Sequence, residues 1–150
     1  MQQAAMHYSV FTYGSLLFPE IMTAVTARSF PSHPAFLARY ARYRVRNASY
    51  PGIIPSPDAS VTGCLYTGID LSTLKKLDHF EGDLYERQTV EVHCDNQLRS
   101  AQTYVVAPGQ EHHLTKTPWD PDYFKENDYA CFLDQCRAPR QRMNARQAGE

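Results

Sequence analysis

The stretch Leu77-Asp78-His79-Phe80-Glu81-Gly82-Asp83-Leu84-Tyr85-Glu86-Arg87 packs five groups able to exchange protons into one connection: Asp78, His79, Glu81, Asp83 and Glu86. Glu81 differs from the others because Phe80 and Gly82 flank it. A carboxylate beside aromatic surface loses part of its hydration, and its pKa rises from about 4.3 toward the range useful to a general base. A solvated acidic turn has the same composition, so a lone glutamate does not decide between the two.

A second stretch, Phe11-Thr12-Tyr13-Gly14-Ser15-Leu16-Leu17 with Pro19-Glu20 behind it, places a glycine and a serine between a strand and a helix. Backbone N–H groups left unpaired there, backed by the positive end of a helix, suit a carboxylate or a developing oxyanion. Gly14 permits the sharp turn and the close approach of a ligand. Alone, this loop reads equally as a structural turn. Among the four cysteines, Cys131 and Cys136 lie five apart and His112-His113 is the nearest histidine pair. The usual CxxC spacing of a zinc site is missing, so no metal or other cofactor is expected and the cysteines read as small buried hydrophobes.

The elements that must position these groups follow from pattern. Tyr8 to Tyr13 is rich in β-formers and stops at Gly14. Pro19 opens a short helix to about Ala27, with Ile21, Met22 and Val25 on one face. From Phe36 to Arg46 residues alternate, with Leu37, Ala41, Tyr43 and Val45 on one side and Tyr40, Arg42, Arg44 and Arg46 on the other. Tyr50-Pro51-Gly52-Ile53-Ile54-Pro55 reads as a proline-flanked loop. Val61 to Ile69 is a strand whose Gly63 and Gly68 signal a bulge or a close backbone contact. Ser72 is expected to cap a helix that turns Leu71, Leu74 and Leu77 inward. Tyr85–Cys94 and Leu98–Ala107 form an antiparallel pair around the turn Asp95-Asn96. Thr117-Pro118-Trp119-Asp120-Pro121 opens a final helical stretch to about Gln135, interrupted near Asn127. Strand runs with a few short helices, and no regular βαβ alternation, predict an α+β fold on a mixed or antiparallel sheet, closed into a small β-barrel.

The 150 residues fit a single domain over residues 1–136, followed by a basic tail over residues 137–150. That tail carries four arginines against Glu150, a net +3, which leaves -4 for the rest of a chain whose formal net charge is -1. This balance argues against nucleic acid or an anionic membrane as a partner. No apolar leader and no run of about 20 apolar residues is found, and reduced thiols are expected, so the reading is a cytoplasmic protein. The oligomeric expectation is a monomer or a homodimer.

Taken together, the two chemical stretches resemble the gamma-glutamylcyclotransferase-like superfamily, including its avirulence-induced plant proteins and bacterial relatives. The resemblance rests on Tyr13-Gly14-Ser15-Leu16, Tyr50-Pro51-Gly52, Val61-Thr62-Gly63, the block Leu77–Arg87, the aromatic strand Tyr104-Val105-Val106, and Trp119 with Phe124. It covers residues 8 to about 133 in family order. It implies release of 5-oxoproline from a gamma-glutamyl amine or gamma-glutamyl amino acid, without a cofactor. Glu81 would be the acid/base, and Tyr13, Gly14, Ser15, Leu16, Tyr85 and Tyr104 would bind the small-molecule substrate. Tyr13 would wall the pocket and Tyr104 donate a hydrogen bond, or both would be buried structural tyrosines. Arg87 is expected to pair with an acid and hold the turn, Arg44 to be solvated, and Trp119 and Phe124 to be core. Specificity is expected in the segments around 47–60 and 108–118. The alternative is a non-catalytic small-molecule-binding protein that keeps the same cavity.

Overall fold

A computed structural model of the chain describes residues 6–137. Six strands form one mixed sheet: β1 (His7–Thr12), β2 (Ser32–Val45), β3 (Pro51–Asp70), β4 (Tyr85–Cys94), β5 (Gln97–Val106) and β6 (Leu114–Pro118). Their order is β3-β1-β5-β4-β2-β6, and β2 also pairs with β3. The first five strands therefore close into a ring, as the sequence pattern predicts, with β6 added along β2. Only the β1–β5 contact is parallel; all other pairs are antiparallel. The helices are α1 (Pro19–Thr26), α2 (Leu71–Glu81) and α3 (Pro121–Asn127), with a further helical stretch over residues 129–137.

Strand β3 is where the structure departs most from expectation. The segment from Pro51 is not a loop but the first third of a 20-residue strand paired with β2, Pro51 opposite Arg44 and Pro55 opposite Tyr40. Each proline, and the residue before it, is held in the extended region, which a strand also requires. Pro51 is the first residue of the strand, and near Pro55 and Pro57 the ladder breaks: between Ala38 and Tyr40 the register slips, and residues 56–59 bulge past Arg39. Arg39 takes a positive φ of 70° to turn that corner. Both glycines of β3 act as their positions suggest. A Cβ on Gly63 would collide with the Thr12 carbonyl and come within 2.7 Å of the Phe11 ring. Gly68 has a φ of 74° beside the slip opposite Tyr8 and Val10.

The alternation of β2 holds in part: Leu37, Ala41 and Val45 are buried, but Tyr43, expected on the same face, is only half-buried, like Arg42 and Arg44. Asp95 and Asn96 both take positive φ, the conformation of a two-residue hairpin turn, and join β4 to β5 in continuous register. The cap of α2 is Asp70, whose side chain accepts from the Thr73 amide, rather than Ser72. The helix begins two residues earlier than a Ser72 cap implies, and Leu71 is left 47% exposed while Leu74 and Leu77 are buried. The final helical stretch is broken at Asp128, close to the expected interruption. Strand β6 escapes the sequence pattern because Leu-Thr-Lys-Thr-Pro is polar and pairs on one side only.

Apolar side chains form two clusters. One consists of Tyr13 and residues of the ring strands, Phe11, Leu37, Ile53, Val61, Leu65 and Val92 among them. The other lies under the helices and joins Val10, Ile21, Met22, Leu74 and Leu77 to Trp119 and Phe124. Each of these fully buried side chains contributes about 1.5–3 kcal/mol relative to exposure. Of the four cysteines only Cys94 is buried; Cys64 and Cys136 are half-buried, and Cys131 is exposed, which corrects the expectation of a uniform core role. Arg137 lies 4.0 Å from Glu20, and the rest of the basic tail falls outside the described residues.

Candidate active site

The end of β1 and the end of α2 meet at one cavity of about 30 Å³, lined by Tyr13, Gly14, Ser15, Leu16, Pro51, Glu81, Tyr85 and Tyr104 among others. All seven residues singled out in the sequence are thus brought together. Chain direction explains the loop. Strand β1 stops at Thr12, Gly14 turns, and Ser15–Leu17 form a single 3-10 turn before Pro19 starts α1. The Leu17 amide donates to the Gly14 carbonyl at 2.9 Å, while the amides of Gly14 and Ser15 donate to no carbonyl among the described residues. Glycine is required at 14 by packing: a Cβ there would lie 2.8 Å and 2.9 Å from two ring carbons of Pro51.

Glu81 is the last residue of α2, and Gly82, with a φ of 74°, lets the chain leave the helix into a 3-10 turn and β4. Its carboxyl forms no hydrogen bond or ion pair among the described residues. Burial is the larger cause that pushes its pKa up from 4.5 to about 8, and the charge of Asp78, one helical turn earlier, adds to it. Phe80, expected from sequence to desolvate it, is part of that apolar surround.

The three tyrosines frame the carboxyl and are themselves held. The Tyr13 hydroxyl donates to the Tyr104 carbonyl at 2.6 Å, and the Tyr85 hydroxyl to the Pro51 carbonyl at 2.6 Å. The Tyr104 hydroxyl donates to Asp78 Oδ1 at 2.7 Å. Burial pushes the phenol pKa of all three upward, so they remain protonated donors at neutral pH. Tyr13 and Tyr104 each line the cavity and act as structural ties, and the Tyr104 hydroxyl hydrogen is taken up by Asp78.

Arg87 pairs with an acid as expected, its Nε donating to Asp78 Oδ1 at 2.8 Å, and a second nitrogen donates to Gln102 at 2.6 Å. Asp78 thus accepts from Tyr104 and Arg87 together and fixes the last turn of α2 against β4 and β5. Arg44 is half-buried, donating to the Ala48 carbonyl at 3.2 Å and lying over the Tyr123 ring, a correction to its reading as solvated.

Three contributors were given no role at the site by the sequence reading. Arg42, placed on a polar strand face, reaches back to the loop and donates to the carbonyls of Tyr13 at 2.8 Å and Thr62 at 3.1 Å, with its guanidinium over Trp119. Pro51 backs Gly14, and Asp78 links Tyr104 to Arg87. The signal for Arg42 was available only as a half-buried strand position; nothing local says where its side chain goes.

The family model described as Gamma-glutamyl cyclotransferase, AIG2-like matches residues 10–129. The chain belongs to this family. AIG2-like protein C of Arabidopsis thaliana is 35% identical over 123 residues, which is 81% of this chain and 67% of that protein. AIG2-like protein D of the same plant is 31% identical over 141 residues, covering 91% of each. Protein AIG2 C, 38% identical over 100 residues, is matched over only 61% of its own length. Among solved structures, an Arabidopsis thaliana protein determined in solution superposes with a TM-score of 0.69 at 27% identity, over 95% of this chain and 88% of that one. A structure titled gamma-glutamyl cyclotransferase superposes with a TM-score of 0.65 at 19% identity, over 89% and 88%, a likeness of fold. The gamma-glutamyl cyclotransferase, AIG2-like match runs from within β1 through α3 and includes every residue of the cavity. No described helix is long and apolar enough to cross a membrane.

Proposed function

We propose that this chain releases 5-oxoproline from a gamma-glutamyl amine or gamma-glutamyl amino acid, with Glu81 as the acid/base. The observation that carries this reading is an unpaired, partly buried carboxyl whose pKa is pushed up to about 8, set in the same cavity as the free amides of Gly14 and Ser15. Membership of a family that includes gamma-glutamyl cyclotransferases supports it.

The reaction needs no water and no external nucleophile. The substrate's own α-amine attacks its γ-carbonyl, closing a five-membered ring while the bond to the leaving nitrogen breaks. At pH 7 the α-amine is largely protonated, since such groups titrate at about 7.7–8.0. A carboxylate of nearly equal pKa takes that proton without a large penalty in either direction, the condition under which proton transfer is most effective. The loop amides of Gly14, Ser15 and Leu16 bind the substrate carboxylate or the oxyanion of the tetrahedral intermediate. The protonated Glu81 then returns its proton to the leaving nitrogen and relays the second proton shed by the ring nitrogen, so that 5-oxoproline and a protonated amine depart. Holding amine and carbonyl in contact supplies the entropic part of the acceleration.

The test is a screen of gamma-glutamyl amines and amino acids for 5-oxoproline release, with wild type and Glu81→Gln in parallel. Release by wild type and a loss of about 10²–10⁴-fold in the variant is expected. An unaltered rate in Glu81→Gln sinks the assignment of the base. Thermal stabilisation by 5-oxoproline without turnover of any compound would instead identify a binding protein.

A further inference from the structure

A second cavity of about 180 Å³ adjoins the one at Glu81. The two share Ser15, Glu81 and Tyr85, and the remaining wall of the second is Tyr50, Phe80, Leu84 and Phe132. Its aromatic rings brace one another edge to face: Tyr50 on Phe132 at 6.4 Å and 69°, Phe80 on Phe132 at 6.5 Å and 79°. Phe132 leans in turn on buried Phe124 at 5.5 Å. Tyr50 sits at the end of the β2–β3 turn, where the Val45 amide donates to the Tyr50 carbonyl at 3.0 Å and Trp119 Nε1 to the Ser49 carbonyl at 2.7 Å. This vestibule is therefore preformed. A 150 Å³ apolar cavity is enough to take up benzene, so about 180 Å³ admits one aromatic ring or a branched alkyl group.

The lining is as informative for what it lacks. Among the described residues no lysine, arginine or histidine lines either cavity, and Glu81 is the one carboxyl. Lys75 and Lys76 line a separate surface groove that shares only Phe80 and Phe132 with the vestibule.

Resting on the cyclotransferase reading above, we propose that the vestibule is the subsite for the leaving amine, and that this amine carries an aromatic or branched aliphatic body with no carboxylate beside its nitrogen. The leaving nitrogen receives its proton from Glu81, so its substituent must extend into space continuous with that carboxyl, and the vestibule is that space. An apolar body there replaces water against four apolar side chains. A carboxylate on the adjacent carbon would be desolvated without a cation and would face Glu81 in its charged form, a cost that a missing partner makes severe.

Three substrates separate these effects: gamma-glutamyl-phenethylamine, gamma-glutamyl-phenylalanine, which adds only the carboxylate, and gamma-glutamyl-methylamine, which removes the ring. The kcat/KM of the first is expected to exceed each of the others by about 10- to 100-fold, the range that burial of one such side chain supports. Tyr50→Ala and Phe132→Ala should each shrink the ratio of the phenethylamine to the methylamine rate, and that ratio is the readout. Tyr50 is the gentler site, since its side chain is partly exposed. Equal rates for the ring-bearing and ring-free amines, or a preference for the phenylalanine derivative, overturn the subsite while 5-oxoproline release itself stands. If no compound releases 5-oxoproline, the reaction fails, and the subsite is then decided by calorimetry with the amines alone. Tighter binding of phenethylamine than of phenylalanine and methylamine, lost in Tyr50→Ala, sustains it; equal binding overturns it.

Discussion

Replacing Glu81 with glutamine should stabilise the protein, and increasingly so as the pH rises. In the unfolded chain this carboxyl titrates near 4.5, and in the fold at about 8. Between those values the folded state keeps a proton that the unfolded state has released, so stability falls as pH rises through that window and levels off above it. Taken at face value the displacement costs the fold about 3 kcal/mol at pH 7 and nearly 5 kcal/mol by pH 9. Glu81 is only partly shielded from solvent, and screening by water that reaches it reduces this to about 1–3 kcal/mol at neutral pH. Glutamine has a similar shape and no ionisation. Urea unfolding of both proteins at pH 5, 6, 7 and 8 measures the effect. The two should differ least at pH 5, and by pH 8 the variant should lead by the amounts above. For a chain of this length that corresponds to about 3–10 °C in Tm. Parallel pH dependences in the two proteins would show that the carboxyl is solvated in the fold and would refute the reasoning.

The same titration governs rate: kcat/KM of the wild type should rise about tenfold per pH unit up to about pH 8, and a profile flat between pH 6 and 8 would exclude Glu81 as base. Arg87→Gln takes the cation from Asp78, leaving a charge beside Glu81 that only Tyr104 offsets; the rise in rate should move to higher pH, which a pH–rate profile reads directly. Gly14→Ala drives a methyl into the Pro51 ring, so turnover should collapse with a stability loss of about 1–3 kcal/mol by urea unfolding, whereas Cys131→Ala at an exposed site should change neither. Removal of residues 138–150 should leave 5-oxoproline release unchanged in the same assay.

Much of the site could be read from sequence because its key residues obey local rules. Gly14 marks the end of a strand, Gly82 is demanded by a helix exit, Asp95-Asn96 by a hairpin, and Glu81 is marked by Phe80 beside it. What escaped was set by partners distant in the chain. The prolines of β3 look like loop residues until β2 is seen to pair with them across a bulge. Arg42 has the alternation of a solvated face, yet Tyr13, 29 positions earlier, is its acceptor. The cap of α2 passed to Asp70 because its carboxylate reaches the Thr73 amide, which a serine two residues later cannot do. The vestibule was half-anticipated: Tyr50 lies within the segment expected to set specificity, but residues 108–118 do not line it, and Phe132 reaches it from the last helical stretch. No local pattern joins residue 50 to residue 132.

The closed ring has a consequence for how the protein comes into being. The cavity draws on residues near 13, 51, 81 and 104, and the Tyr13 to Tyr104 bond spans 91 positions. During synthesis, at about 5–20 residues per second, β1 can pair with β3 but must wait several seconds for β5 on its other side. High contact order of this kind makes for slow folding, and it leaves β1 an unpaired edge in the interval. A nascent chain arrested before residue 106 should expose that edge to chaperones and proteases, and no part of the cavity should exist until the ring has closed.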